Sequence, residues 1–374
     1  MGKIIGIVAE YNPFHAGHAY QIAKAREWAG EDSTVIAVMS GDFVQRGEWA
    51  IQPKAMRALS ACRGGADAVF ELPLPWCLSS AEGFARGAVS LLCALGITHL
   101  SFGSETADLE KLAAAAEKIA APGFAGNVKA CLRVHPNLTY PQARDLVLGQ
   151  DAVSSPNDVL GVEYLLALKD QDVIPLPVKR IGSGHDELGE GVYPSATEIR
   201  SRILSGVMRE PHADPSRFEL VCLSRLRMLS KEAFLALPDC ADGLGSRLYE
   251  AVREGGSLLQ ICDRAKTRRY THSRVRRAVM CASLGISRGD AEGMPPYARL
   301  LAMNERGRAF LSSLKGKTKV PVITLPKELE TAGTETASRL FALGASAHDL
   351  YMLSFPPYHD TKCGEDYRTG PSIV

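Results

Sequence analysis

The chain has 374 residues, of which 46% are hydrophobic and 23% are charged, and its formal net charge is +1. This composition excludes a disordered or fibrous protein and supplies enough apolar residues for two packed domains. Its nine cysteines form no Cys-x-x-Cys pair, which argues against a zinc site or a disulfide framework. The sequence has neither a signal-peptide pattern nor a run of about eighteen apolar residues, so we expect a cytoplasmic protein without a membrane span.

Apolar strands alternate with amphipathic helices through the first half of the chain. The pattern predicts strands at residues 3–9, 34–39, 68–71, 99–102 and 173–178. Helical spacing between them predicts helices that include residues 54–64, 81–95 and 109–121. Alternation of this kind is typical of an α/β fold, in which a parallel sheet is wound with helices.

The second half of the chain has few strand patterns and recurring helical ones. Residues 209–215 contain two prolines and no periodicity, which predicts a linker. Beyond it, strand signals are sparse and helical patterns recur, for example at residues 244–254 and 272–284. We therefore expect an α/β domain over residues 1–205 and a mainly α-helical domain over residues 206–374.

The first predicted strand leads into a segment with two histidines, His15-Ala16-Gly17-His18. A helix is predicted to begin near Gly17, which puts both imidazoles at its N-terminus. Unpaired N–H groups and the helix dipole there favour a bound anion and bias a histidine towards neutrality. Gly17 lets a phosphate approach the backbone, and Asn12 and Pro13 turn the chain before the helix. The alternative interpretation is that the histidines only cap the helix.

A second segment, Ser195-Ala196-Thr197-Glu198-Ile199-Arg200, has hydroxyl groups at the predicted start of another helix and an arginine one turn later. Hydroxyl and guanidinium groups at the start of a helix can form hydrogen bonds to an anion. The alternative is an ordinary Ser N-cap followed by a surface arginine. Together the two segments predict a site where the α-phosphate of a nucleotide is attacked and the developing charge is stabilised.

Several further runs carry a resemblance to a known family. They are residues 6–15 (GIVAEYNPFH), 38–48 (VMSGDFVQRGE), 65–73 (GADAVFELP), 79–85 (SSAEGFA), 102–105 (FGSE) and 179–184 (KRIGSG). These runs resemble the tRNA(Met) cytidine acetate ligase family, and the segment from Ser195 to Arg200 resembles the second phosphate-binding motif of the HIGH-type nucleotidyltransferases. The resemblance covers most of residues 1–205 and implies a Rossmann-like, ATP-binding catalytic domain there, followed by a tRNA-binding domain.

The activity that this resemblance implies has two steps. ATP activates acetate to acetyl-adenylate, and the acetyl group then passes to the wobble cytidine of elongator tRNA(Met), which gives N4-acetylcytidine. The implied cofactor is ATP, with Mg²⁺ bridging its phosphates, and the implied partners are acetate and tRNA(Met). We predict no dedicated metal site, because Mg²⁺ usually borrows phosphate oxygens and waters.

The resemblance also implies site residues in this chain. The residues implied for catalysis are His15, His18, Ser195, Thr197 and Arg200. Those implied to bind ATP are Ile7, Val8, Ala9, Glu10, Tyr11, Asn12, Pro13, Phe14, His15, Ala16, Gly17, His18, Ala19, Tyr20, Gly103, Asn157, Arg180 and Ile181. Gly103 follows a predicted strand, where ligands of open parallel sheets bind, whereas Asn157 is as readily explained as a helix cap.

A concentrated basic segment spans residues 264–277, with seven Lys and Arg residues and no carboxylate. Helical spacing would bury Val275 and Val279 and leave Arg274 and Arg277 facing solvent. Exposed arginines and a tyrosine suit an RNA backbone and a stacked base; the alternative is a solvated face that binds nothing. The predicted RNA-binding residues are Arg264, Lys266, Arg268, Arg269, Tyr270, Arg274 and Arg277.

Two features depart from the family pattern. Asp42 stands where the resemblance implies asparagine, and a carboxylate beside an acetate pocket would repel the substrate unless Arg46 or Arg57 paired with it. Residues 356–374 match no motif of the family. We also expect three aromatic side chains to narrow the pocket for a small acid, namely Trp76, Phe84 and Phe102.

Two other functions remain open from the sequence. One is a nucleotidyltransferase that acts on a small metabolite without RNA, although the basic segment argues against it. The other is a tRNA-binding protein whose nucleotide pocket is vestigial, although the intact His15, His18 and Arg200 argue against that.

Overall fold

The computed structural model describes residues 2–181 and 194–374. Its strands are β1 Ile4–Ala9, β2 Thr34–Ser40, β3 Phe43–Val44, β4 Glu48–Trp49, β5 Ala68–Leu72, β6 His99–Ser104, β7 Ile174–Lys179, β8 Ala298–Met303, β9 Val322–Ile323 and β10 Ser372–Ile373. All five predicted strands of the first half are present, each within two residues of its predicted bounds.

The strands are connected mostly by helices. These are α1 Ala16–Ala29, α2 Lys54–Arg63, α3 Leu74–Cys77, α4 Ala81–Ala94, α5 Leu109–Ala120, α6 Phe124–Val134, α7 Tyr140–Leu148, α8 Pro156–Ala167, α9 Ala196–Leu204, α10 Pro215–Met228, α11 Lys231–Leu235, α12 Leu244–Arg253, α13 Leu258–Ala265, α14 His272–Leu284, α15 Glu305–Leu314, α16 Glu328–Ala332 and α17 Glu335–Met352. Among the described residues, no helix has the length and apolar character needed to span a bilayer.

The main sheet has the strand order β10-β8-β5-β2-β1-β6-β7, with β9 on β8. All neighbouring strands are parallel except β5 and β8, so the predicted parallel sheet wound with helices is confirmed, with one antiparallel pair that was not expected. The chain runs outward from β1 through β2 and β5 on one side, and through β6 and β7 on the other. Ligands of open α/β sheets bind at such a reversal, beyond the carboxyl ends of the strands.

Alternating side chains of β1 enter two different cores. Ile5 and Ile7 pack with Ile22 of α1 on one face of the sheet, whereas Ile4 and Val8 contact the larger core on the opposite face. Gly6 allows α4 to approach β1 closely, because a Cβ at this position would lie only 3.1 Å from the side chain of Leu92 in α4. Helices on both faces hold β1 rigidly, and its carboxyl end is therefore a firm base for the turn that follows.

The second half of the chain contributes strands to the same sheet, which the sequence analysis missed. The residues of β8, ARLLAM, are all good helix formers with no β-branched member, and β9 and β10 have two residues each. The expected boundary near residue 205 is therefore not a boundary of the sheet. A separate tRNA-binding domain over residues 206–374 stays a prediction.

The prediction that residues 209–215 form a linker is wrong for residues 213–215. Ala213 is buried, and its N–H donates to the carbonyl oxygen of Ile51 at 2.9 Å. The N–H of Asp214 donates to the carbonyl oxygen of Ser354, and the Asp214 side chain caps α10, in which Pro215 is the first residue. The two prolines thus mark a fixed entry into a helix rather than a solvated connection.

Candidate active site

A cleft opens where the carboxyl ends of β1 and β6 meet the N-terminal ends of α1, α8 and α9. It is lined by Val8, Ala9, Glu10, Tyr11, Asn12, His18, Gln21, Gln45, Phe84, Phe102, Gly103, Asn157, Leu160, Tyr164, Arg180, Ala196 and Arg200. A smaller cavity adjoins it and is lined by His15, Gly17, His18, Tyr20, Gln21, Gly103, Val178, Lys179, Arg180, Ile181, Pro194 and Ser195. Because the two share His18, Gln21, Gly103 and Arg180, we treat them as one site, the nucleotide cleft.

The two histidines form a reciprocal cap at the start of α1. His15 is the N-cap, and its Nδ1 accepts the N–H of Gly17 at 3.0 Å. The Nδ1 of His18 accepts the N–H of His15 at 3.2 Å, and the two rings stack with centroids 3.8 Å apart. Both histidines therefore cap the helix, as the alternative interpretation predicted. Both rings also line the nucleotide cleft.

This cap fixes the chemistry of both rings. Since each Nδ1 accepts a backbone hydrogen bond, a neutral ring carries its proton on Nε2 and can donate it to a ligand. Burial lowers the pKa of His15, and the nearby Arg180 lowers it further. Burial, the neighbouring His15 and Arg180 hold the pKa of His18 well below its usual range. The pair thus consists of neutral hydrogen-bond donors rather than cations.

The second predicted segment meets the first. Ser195 caps α9 by accepting the N–H of Glu198, and it lines the nucleotide cleft together with His15. One Arg200 nitrogen donates to the carbonyl oxygen of Asn12 at 2.8 Å, although 188 positions separate the two residues in the chain. The other terminal nitrogen of Arg200 donates to the Thr197 hydroxyl at 3.2 Å. The Arg200–Asn12 hydrogen bond therefore holds the start of α9 against the turn after β1, and the other two hydrogen bonds order the start of α9 itself.

The opposite wall of the cleft comes from β6, β7 and α8. Gly103 pairs with Val178 near the ends of β6 and β7, and Arg180 follows β7 directly. Asn157 is not the cap of α8, since Ser155 holds that position. Its side-chain amide donates to Glu105 at 2.5 Å, which leaves the amide oxygen available to a ligand in the cleft.

A buried arginine supports the floor of the cleft. The guanidinium of Arg57, which has no exposed surface, donates to the carbonyl oxygens of Glu10, Ser40, Gly41 and Gln52. It thus joins the carboxyl ends of β1 and β2. Burial raises the pKa of the Glu10 carboxyl, which accepts the N–H of Gln45 and lines the cleft.

Some residues implied to bind ATP lie away from the cleft. Ile7 is buried within the sheet between β2 and β6, and Phe14 packs against Tyr11 with ring centroids 5.0 Å apart. Pro13 is buried, Ala16 is exposed at the start of α1, and Ala19 lies half-buried in the same helix. These residues shape the turn and the helix rather than the walls of the cleft.

The expected narrowing by aromatic side chains is correct for Phe84 and Phe102 and wrong for Trp76. Phe84 and Phe102 line the cleft, whereas Trp76 is only 1% exposed and packs against α4 in the core. The sequence analysis missed Gln21, which lies one turn after His18 in α1, where helical spacing would have indicated it. It also missed Gln45, because the β3–β4 hairpin was not predicted.

Asp42 lies outside the cleft, in a buried group of charged side chains that we call the tail cluster. Its members are Asp42, Lys54, Glu71, Arg299, His348 and Asp366. The Asp42 carboxylate is 2.7 Å from Nδ1 of His348 and 3.8 Å from Nζ of Lys54. Asp42 thus forms its ion pairs with His348 and Lys54, and Arg57, one of the two partners named from the sequence, adds a smaller contribution that lowers the Asp42 pKa.

The tail cluster anchors the C-terminal segment, residues 356–374. Asp366 lies 2.5 Å from Lys54 and 2.8 Å from Arg299, which in turn lies 3.1 Å from Glu71. Lys54 and Arg299 lower the pKa of Asp366 to about 2 despite its burial. Beyond Asp366, β10 pairs with β8 at the edge of the sheet. The segment is thus an integral part of the fold.

Several side chains of the basic segment, residues 264–277, are less exposed or more engaged in internal contacts than predicted. Tyr270 is buried, and its hydroxyl donates to the carbonyl oxygen of Asp242, so it is not a free stacking surface. Arg274 lies over the Tyr270 ring and donates to the carbonyl oxygen of Asp239 at 3.0 Å. Arg264 donates to backbone carbonyls, and Arg277 is half-buried instead of facing solvent. Lys266, Arg268 and Arg269 are exposed.

The chain is similar to known proteins over nearly its whole length. The HIGH Nucleotidyl Transferase family matches residues 2–366. A tRNA(Met) cytidine acetate ligase from Fervidobacterium nodosum is 32% identical, with 98% of each chain covered. One from Caldicellulosiruptor saccharolyticus is 34% identical, with 96% of this chain and 95% of that protein covered.

A solved structure is similar over the whole chain. The crystal structure of Thermotoga maritima TmcAL bound with alpha-thio ATP has a TM-score of 0.88 and 29% identity, and covers 100% of this chain and 99% of that one. The apo form of the same protein has a TM-score of 0.89 and 28% identity. With these matches and the motifs that converge at the cleft, this chain belongs to the HIGH nucleotidyltransferase family, among the tRNA(Met) cytidine acetate ligases.

Proposed function

We propose that this protein uses ATP to activate acetate and then acetylates the wobble cytidine of elongator tRNA(Met), in the cytoplasm. The observation that carries the proposal is the convergence of two distant segments on one cleft. Arg200 bonds to the Asn12 carbonyl, and Ser195 lines the same cavity as His15 and His18. A small-metabolite nucleotidyltransferase would share this cleft, so the RNA substrate has to be tested separately.

In the first step, an acetate oxygen attacks the α-phosphorus of ATP and the bond to pyrophosphate breaks. Negative charge builds on the non-bridging oxygens of the α-phosphate, where fixed donors are most effective. The neutral His15 and His18 rings, each with a proton on Nε2, are suited to that role because they need no counter-ion when the site is empty. The N-terminus of α1 adds its own positive potential.

The start of α9 is suited to the departing pyrophosphate. The Ser195 oxygen accepts the N–H of Glu198, and the Thr197 oxygen accepts from Arg200. Both hydroxyl protons therefore remain available to phosphate oxygens. Arg180 and Arg200 supply the positive charge. Among the described residues no group of three or more His, Cys, Asp or Glu side chains is arranged to hold a metal, so Mg²⁺ would take its ligands mainly from phosphates and water.

In the second step, the exocyclic amine of cytosine attacks the acetyl carbonyl of acetyl-adenylate, the amine loses a proton, and AMP leaves. The mixed anhydride is already reactive, so no nucleophilic Ser or Cys of the protein is required. The target base has to leave its stack to reach the carbonyl, which is easier in an anticodon loop than in a duplex.

We assign ATP binding to residues 1–205 and the RNA contact to the helices beyond them. Lys266, Arg268 and Arg269 are the exposed basic side chains of the 264–277 segment and are suited to backbone phosphates. Arg264, Arg274 and Arg277 have internal contacts or partial burial, so their contribution to RNA binding is expected to be smaller. Tyr270 is expected to support Arg274 rather than to stack on a base.

The decisive experiment is mass spectrometry of nucleosides from tRNA(Met) incubated with the protein, ATP and isotope-labelled acetate. We expect labelled N4-acetylcytidine, and none from a tRNA(Met) transcript in which the wobble cytidine is replaced by uridine. Acetate-dependent ATP–pyrophosphate exchange without nucleoside labelling would instead indicate a small acceptor. The absence of both would contradict the proposed function.

A further inference from the structure

A second, larger cavity adjoins the nucleotide cleft and has no assigned role. Its volume is about 530 Å³, and most of its lining is apolar. The side chains come from the β3–β4 hairpin, α9, α10, α13 and α14. We call it the acceptor cavity, and its principal lining residues are Trp49, Leu204, Leu258, Leu259, Arg276 and Met280.

Two structural elements, α9 and the β3–β4 hairpin, contribute to both cavities. Arg200 lines the nucleotide cleft and also the acceptor cavity, so its side chain forms a common wall. The β3–β4 hairpin contributes Gln45 to the nucleotide cleft, and Glu48 and Trp49 to the acceptor cavity. A ligand in the acceptor cavity would therefore lie next to the site where acetate is activated.

The hairpin is fixed against the basic segment. Gly47 at its tip has φ +74°, and a Cβ there would clash with the backbone of Arg276 and Arg277 in α14. Glu48 forms an ion pair with Arg276, which lines the acceptor cavity. The cavity is thus continuous with the 264–277 segment, whose exposed Lys266, Arg268 and Arg269 precede α14.

The chemistry of the lining favours an unstacked base over a phosphate or a metabolite anion. Trp49 is half-buried and packs on Phe218 with ring centroids 4.9 Å apart, which fixes the orientation of the indole. Aromatic and aliphatic side chains replace the stacking that a base loses when it leaves a loop. Charged groups lie among them, with Glu48 paired to Arg276 and Glu219 accepting the N–H of Leu258 at 2.6 Å.

We propose that the acceptor cavity receives the unstacked cytidine of the RNA substrate and delivers its amine to the acyl-adenylate past the Arg200 wall. This inference rests on the proposed function. The RNA backbone would cross the exposed part of the basic segment, and the base would enter between α9 and α13. Leu204 and Leu259 stand at that entrance, because they line the cavity and are 48% and 58% exposed.

The test uses Leu259→Glu and Leu204→Glu, which add a negative charge at the entrance without disturbing buried packing. The matched control is Leu220→Glu in α10, a side chain that is 69% exposed and away from the cavity lining. Acetate-dependent ATP–pyrophosphate exchange and acetyl transfer to a tRNA(Met) anticodon stem–loop are measured on the same preparations. We expect kcat/KM for transfer, relative to exchange, to fall by about tenfold or more in both cavity variants and to stay unchanged in the control, because the charge at the entrance weakens the contacts of the base.

Cross-linking provides a second readout that does not depend on catalysis. A stem–loop with 4-thiouridine next to the wobble cytidine should cross-link to peptides of α13 or α14 that line the cavity, even without ATP. Transfer at the wild-type ratio in both variants, or cross-links confined to other surfaces, would overturn the proposal and leave a peptide or lipid as the occupant to consider. If the wild-type protein shows no acetate-dependent ATP–pyrophosphate exchange but the stem–loop still cross-links to the acceptor cavity, the proposed function is contradicted and the RNA site in the cavity is not.

Discussion

Histidines at two sites in this molecule have pKa values shifted in opposite directions. In the nucleotide cleft, burial and Arg180 lower the pKa of both His15 and His18. In the tail cluster, burial would lower the pKa of His348, but the Asp42 carboxylate outweighs it and raises the pKa above its usual value. Burial is common to both sites, so the neighbouring charge decides which form is stable.

The difference matches the phosphate-binding role that we propose for the cleft and the structural role of the tail cluster. Neutral rings with one donor each can receive a highly charged anion without first losing a bound carboxylate. When His348 is protonated, it completes a charge balance in the tail cluster. Three cationic groups, Lys54, Arg299 and His348, then face the three carboxylates of Asp42, Glu71 and Asp366. The cleft is open to a ligand, whereas the cluster is closed on itself.

The largest expected effect on stability comes from opening the tail cluster. Asp366→Ala should lower the free energy of unfolding by about 3–5 kcal/mol, because Lys54 and Arg299 would remain buried with too few carboxylates. Urea denaturation measures the change. Asp360→Ala, an exposed position in the same tail, is the control and should stay within about 0.5 kcal/mol of the wild type. A similarly small change for Asp366→Ala would show that the cluster does not anchor the tail.

The protonation of His348 gives a smaller, pH-dependent effect. Since its folded pKa is raised above 6.5, its contribution to stability is complete below the unfolded pKa and is lost as pH rises through the folded pKa. The charged groups that face it are Asp42, Lys54, Asp366 and, at 3.6 Å, Glu365. We expect the wild type to lose stability from neutral to mildly alkaline pH in denaturant titrations, and His348→Gln to show a flatter profile. Parallel profiles would mean that His348 is neutral in the fold.

The basic segment should give the smallest effect for each residue. Arg268→Ala and Arg269→Ala each should reduce the slope of log affinity against log salt by about 1, because each removes one phosphate contact. Filter binding of tRNA at several salt concentrations measures the slope. Arg63→Ala, an exposed arginine at the end of α2, is the control and should leave the slope unchanged. Unchanged slopes for all three variants would exclude this segment from the RNA contact.

Short-range patterns explain why much of the first half was predictable. The strands of the first half show apolar runs, and both phosphate-site segments combine a strand or loop with a helix cap within six positions of the sequence. A shared site was predicted from their residue types, and the structure shows that Arg200 donates to the carbonyl oxygen of Asn12. The membership of the family was likewise visible in contiguous runs and is confirmed by the comparisons.

Long-range pairings explain what the sequence could not predict. His348 and Asp42 lie 306 positions apart, and Lys54 and Asp366 lie 312 apart, with no local pattern to link them. The helix-forming residues of β8 become a strand only because β5 offers an open edge. Tyr270 was expected at the surface for a similar reason, since its hydroxyl donates to the carbonyl oxygen of Asp242, which lies 28 positions away.

The neutral histidine pair has two roles here, a proposed contact with phosphate and the capping of α1. The variant His15→Asn/His18→Gln separates the two roles, because Asn is a good N-cap and Gln at the third helical position preserves the reciprocal cap. Acetate-dependent ATP–pyrophosphate exchange should fall by about 10²–10³, while the thermal midpoint stays close to that of the wild type. Exchange at the wild-type rate in this variant would reduce both histidines to helix caps and contradict the account.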